Sequence, residues 1–108
     1  MILSGRLPEV VEVTVRTLSV SGARVAGVVA DMTSKEGAAR ISAAARAAFG
    51  DPDILVINSP GPVPDRTTNR WRGFDNCQDE DFVEVHRNFV MSTVYLVREV
   101  IPAMKAKK

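Results

Sequence analysis

The sequence is 108 residues long, the size of one domain, and carries 14 Lys and Arg against 13 Asp and Glu for a formal net charge of +1. Because the charges are interleaved, no basic surface argues for nucleic acid or an anionic membrane as a partner. A single cysteine, Cys77, excludes an intrachain disulfide, and no stretch approaches the ~20 apolar residues of a membrane helix, so one soluble, cytoplasmic domain is expected.

Ile2 and Leu3 form a brief apolar start closed by Ser4-Gly5-Arg6, and Pro8 suits the first turn of a helix. Val11, Val15 and Leu18 then share one helical face until Ser21-Gly22, where glycine suits a left-handed cap. The segment from Ala23 to Ala30, small and branched and ending at Asp31, reads as a buried parallel strand. Thr33 and Glu36 have capping-box spacing, and Ala38, Ile41, Ala45 and Ala48 follow at helical intervals to Phe49-Gly50. Beyond Pro52, the continuous apolar run Ile54-Leu55-Val56-Ile57, bounded by Asp53 and Asn58, predicts a central strand.

Residues 59–78 are a polar loop with Pro60, Gly61, Pro62, Pro64 and Gly73, although Trp71 and Phe74 argue against simple disorder. Asp79 then caps a long helix with Phe82, Val85, Phe89, Leu96 and Val100 along one face. Pro102 disturbs its last turn, and Lys105, Lys107 and Lys108 solvate its C-terminus. Strands alternating with helices predict an α/β fold: a parallel sheet of three strands, with three helices and right-handed crossovers.

In an open sheet of this kind ligands lie beyond the carboxyl ends of the strands, which selects residues 4–6, 31–33 and 58–62. Ser4-Gly5-Arg6, Ala30-Asp31-Met32-Thr33 and Asp53 to Pro62, the last similar to an Asn-Asn-Ala-Gly element, together resemble the middle of a short-chain dehydrogenase/reductase. The likeness runs from that family's second strand to the long helix before its catalytic tyrosine, and the nearest branch is 3-oxoacyl-acyl-carrier-protein reductase-like.

The resemblance implies a partial NAD(P)-binding Rossmann domain over residues 1–108, a partial Rossmann-type parallel sheet of three strands and three helices lacking the first strand and the C-terminal half. It implies an oxidoreductase that moves hydride between a carbonyl or alcohol substrate and NADP, with NAD as the alternative cofactor. Arg6 stands where a basic residue favours a 2′-phosphate, since a guanidinium holds phosphate oxygens in a two-pronged contact; it also reads simply as an exposed arginine at a helix start. Asp31 and Met32 match the adenine-contacting step, and Asp31 alternatively just ends a strand. Asn58, Ser59 and Gly61 match the loop near the nicotinamide-side ribose, with Ile57 and Pro60 departing from the family's pattern. Asn88 is the candidate for the catalytic asparagine that holds a water in the proton relay. Counted back from Pro102 it stands one residue out of place, with Phe89 in the expected position, a rotation of roughly 100°.

His86 has no carboxylate or nucleophile paired with it in the pattern, Tyr95 is followed four residues later by Glu99 rather than lysine, and no metal-ligand spacing occurs. Within the 108 residues neither a glycine-rich turn nor a Tyr-x-x-x-Lys segment is present, so the chain alone is expected to be incompetent for catalysis. The family's strand order would leave the second and fourth strands without their common neighbour, giving an aggregation-prone or rearranged sheet. The alternative function is a non-catalytic interaction module, or homo-oligomerisation, through the helix at 79–104.

Overall fold

The computed structural model describes residues 1–58 and 74–107. The first apolar run forms β1 (Ile2–Gly5), and α1 (Pro8–Val20) follows with Pro8 in its opening turn, where a missing N–H costs nothing. Gly22, at φ 85°, turns the chain toward β2 (Ala26–Val29), shorter than the apolar stretch around it. β1 and β2 pair in parallel, with Ile2 opposite Ala26 and Gly5 opposite Val29.

Alternation sorts the side chains of this ribbon onto two faces. On one face Val11 and Val15 of α1 close against Gly27, where a Cβ would lie 2.5 Å and 2.8 Å from their methyl groups; at Gly5 a Cβ would lie 2.9 Å from the other methyl of Val11. The helix therefore sits nearer the strands than side chains there would permit. On the other face Val28 packs with Ala38, Ile41 and Leu96, joined by Ile2, Ala30 and Leu55.

Ala38 and Ile41 belong to α2 (Lys35–Phe49), whose cap is Ser34 rather than the expected Thr33. The Ser34 hydroxyl accepts from the Gly37 N–H at 3.0 Å, while Thr33 turns back to Asp31. Gly50, at φ 82°, ends the helix.

Asp79, expected as the cap, is the first residue of the long helix; Gln78 is the cap, and its N–H donates to the Asp81 carboxylate. It comprises α3 (Asp79–Val85), a π-helical segment at His86–Met91, and α4 (Ser92–Ala106), joined without leaving right-handed helical angles. α4 continues past Pro102 and packs on α2.

The fold is the expected partial α/β ribbon covered by helices, but among the described residues two strands pair rather than three. Ile54-Leu55-Val56-Ile57 joins no ladder. It nevertheless keeps a strand's alternation: Leu55 and Ile57 pack on the core, while Ile54 is 81% and Val56 82% exposed. Apolar patterning places one face, but hydrogen bonding needs an adjacent strand, and among the described residues none lies alongside.

Cations clasp the far end of the fold. Arg46, in the last turn of α2, donates to the Glu99 carbonyl at 2.7 Å and to Asp51 at 3.0 Å. Lys107 donates to the Asp51 carbonyl at 2.6 Å and pairs with Asp53 at 2.5 Å, so it anchors the run before Ile54 rather than only solvating the helix end. No helix among the described residues is long and apolar enough to cross a membrane.

Candidate functional site

The carboxyl ends of β1 and β2 make one rim. Their final shared hydrogen bond, Ala30 N–H to the Gly5 carbonyl at 3.0 Å, sets Arg6 and Asp31 immediately beyond the ladder. Arg6 is exposed and makes no hydrogen bond or ion pair with any described residue. Asp31 is organised by its own turn: the Thr33 N–H and Oγ1 both donate to Oδ1, at 2.9 and 2.8 Å. Among the described residues nothing donates to Oδ2.

Partial burial pushes the Asp31 pKa upward, but the two Thr33 bonds and the nearby Arg6 and Arg87 guanidinium groups outweigh it, leaving the carboxyl below its ordinary value. The turn is tight as well as charged. A Cβ at Gly37 would lie 1.8 Å from the Asp31 carbonyl oxygen, so only glycine lets α2 start this close to the rim. Met32, half-buried, packs against the core and fixes the floor beside Asp31.

Helix direction brings the π-helical segment to the same end. α2 leaves the rim at Ser34 and reaches Glu99 of α4 at its other end, where Lys107 also meets Asp51 and Asp53. The C-terminal half of the long helix is thereby held at the far edge, and residues 86–91 lie toward the rim.

Asn88 lies inside the π-helical segment, where a turn holds one residue more than an α turn. The predicted 100° misdirection assumed an unbroken α-helix. Asn88 is partly buried, and its carbonyl accepts the hydroxyl of Ser92 at 2.5 Å; Ser92 is completely buried. Ser92 and Arg87 carry no sequence pattern that singles them out, since their importance comes from the widened turn and from the helix direction.

Asn58 lies exposed at the end of the unpaired run. Ser59 and Gly61 lie outside the described residues. Tyr95 packs on the core with the Lys35 ammonium 6.0 Å from its ring centre, a structural setting. Among the described residues no cluster of His, Cys, Asp and Glu could hold a metal ion.

The rim thus offers a guanidinium, on Arg6, that makes no hydrogen bond or ion pair with a described residue, and beside it a carboxylate fixed through one oxygen. The family model described as short chain dehydrogenase matches residues 1–108. Comparison with curated proteins finds no match.

Among solved structures, L-sorbose reductase from Gluconobacter frateurii, complexed with NADPH and L-sorbose, is 28% identical with a TM-score of 0.81. A protein described as a 3-oxoacyl-reductase from Bacillus thuringiensis is 23% identical at TM-score 0.76. A 7α-hydroxysteroid dehydrogenase complexed with NADH is 21% identical at 0.79. Each alignment covers 98% of this chain but only 38%, 42% and 38% of those structures respectively.

Proposed function

The chain belongs to the short-chain dehydrogenase family, and on that premise we propose that it builds the adenosine-binding side of an NADP-dependent oxidoreductase acting on a carbonyl or alcohol. The observation that carries this reading is that Arg6, which makes no hydrogen bond or ion pair with a described residue, stands beside Asp31, fixed by Thr33, at the end of one ladder. Arg6 binds the 2′-phosphate, and its fixed positive charge sets the preference for NADP over NAD. The Asp31 carboxylate and the Met32 backbone orient the adenine. By the family resemblance Asn58 serves the nicotinamide-side ribose, a role the resemblance also gives to Ser59 and Gly61 outside the described residues, and Asn88 holds a water for proton transfer. The dinucleotide, when bound, gives or takes the hydride. The substrate class is that of the 3-oxoacyl-reductase-like branch.

The 108 residues contain no Tyr-x-x-x-Lys segment, and Tyr95 is followed by Glu99 at the lysine spacing. In this reading the chain positions cofactor and does not by itself protonate a carbonyl. NADPH titration of the purified chain tests it: binding weaker than micromolar, lost on Arg6→Met, with NADH weaker still, is the expected result. Micromolar affinity, or equal affinity for the two dinucleotides, refutes it.

A second reading, a non-catalytic interaction or homo-oligomerisation module, draws on the helix at 79–104, where Phe82, Val83, Phe89 and Val90 are exposed.

A further inference from the structure

We infer that Ser92 is a positioning residue for Asn88: its hydroxyl holds the π-helical turn open by donating to the carbonyl that the backbone ladder gives up there. This deepens the proposed function and rests on its assignment of a water-holding role to Asn88. In an α-helix the N–H of residue 92 would bond the carbonyl four residues back, that of Asn88. Here it bonds the Arg87 carbonyl, five back, and the Ser92 Oγ takes the Asn88 carbonyl instead, at 2.5 Å, with the Phe89 carbonyl a longer second acceptor at 3.4 Å. One residue therefore serves two consecutive carbonyls, Arg87 from its backbone and Asn88 from its side chain.

A hydroxyl bonded four residues back does not by itself open a turn. Thr14 and Thr17 bond the Val10 and Val13 carbonyls in the same way, at 2.7 and 2.9 Å, and α1 stays α-helical around them. Both threonines are exposed, whereas Ser92 is completely buried and its N–H has moved one carbonyl along. Where solvent is excluded, a carbonyl deprived of its ladder donor has no water to accept from, so the side chain that replaces the donor decides between the two helical forms. Thr93 makes a similar bond to the Phe89 carbonyl at 2.8 Å, but from a partly exposed position where water can take its place.

The consequence falls on the N-terminal side of the turn. α4 is fixed on α2, with Leu96 and Val100 buried and Arg46 bound to the Glu99 carbonyl. Closing the π turn to an α turn would remove one residue from it, and would thereby turn Asn88 by roughly 100° about the helix axis relative to α4.

Scalar couplings across hydrogen bonds in the 108-residue chain read this ladder directly. In the parent, the residue-92 amide should couple to the carbonyl carbon of Arg87. In Ser92→Ala the coupling should move to the carbonyl of Asn88, the π-to-α ratio falling on the order of tenfold or more with the lost bond. Ser92→Thr, which keeps the hydroxyl, should restore the parent coupling, and Thr93→Val should leave it in place. A nuclear Overhauser effect from water to the Asn88 side-chain amide should be present in the parent, lost in Ser92→Ala and recovered in Ser92→Thr, a pattern that loosened packing alone would not produce.

Coupling of the residue-92 amide to Asn88 in the parent, or an unmoved coupling in a Ser92→Ala chain that keeps its helical circular dichroism, overturns the Ser92 role and leaves the assignment of Asn88 intact. The first of these outcomes is read on the parent alone, and so stands even if substitution at this buried site unfolds the chain. If the couplings behave as expected but the parent shows no water at Asn88, the water-holding assignment fails, and the positioning role with it.

Discussion

Asp31 concentrates the electrostatics of the rim in one side chain. Its folded-state pKa is depressed despite partial burial, because Thr33 hydrogen bonds and two arginine charges favour the ionised form. A depressed carboxylate stabilises the folded state above its unfolded value of about 3.9, and that contribution disappears as pH falls through the lower folded value. The Thr33 amide should thus titrate with a midpoint below about 3.9, and Asp31→Asn should flatten that titration. A midpoint at or above the ordinary value would show that the Thr33 turn does not favour the charged form.

At the scale of elements, the unpaired run and the β1–β2 ladder make opposite predictions for the same kind of residue. Val28 lies within a ladder, whereas Val56 joins no ladder among the described residues and its side chain is 82% exposed. Amide exchange should be slowed at residues 26–29 and close to unprotected at 54–57, since protection follows hydrogen bonding and local opening. Comparable protection in both segments would mean that 54–57 acquires a partner in solution.

The sequence of elements was legible because local signals dictate it: Pro8, Gly22 and Gly50 punctuate two amphipathic helices, and branched residues mark both strands. Pairing of the third run was not, because apolar character reports burial of a face and is silent on the neighbour needed for a ladder. The helix cap moved from Thr33 to Ser34 because both hydroxyls compete for adjacent donors, and Asp31 captures the threonine. At the rim, Arg6 and Asp31 stood out from their positions just after strand-like runs. The influence of the Arg87 charge on Asp31 did not, since it depends on the direction of the long helix, and the π-helical segment leaves the apolar spacing around Asn88 intact.

For the molecule as a whole, the bare side chains of Ile54 and Val56 add to Leu7, Val10 and Val13, all more than half exposed. Apolar exposure beside unsatisfied backbone favours association between copies. The chain should sediment heavier as its concentration rises, and Val56→Lys should shift it toward monomer without loss of helical circular dichroism. A monomer at every concentration would refute this account of the exposed run.

The notches at Gly5 and Gly27 have a mechanical consequence. A four-residue parallel ribbon has few bonds with which to resist sliding, yet one methyl of Val11 fills the gap at Gly5 and the other the gap at Gly27, one on each strand. Displacing either strand along the other would drive a side chain into that valine, so α1 works as a two-pronged key that locks the strands in step and keeps Arg6 level with Asp31.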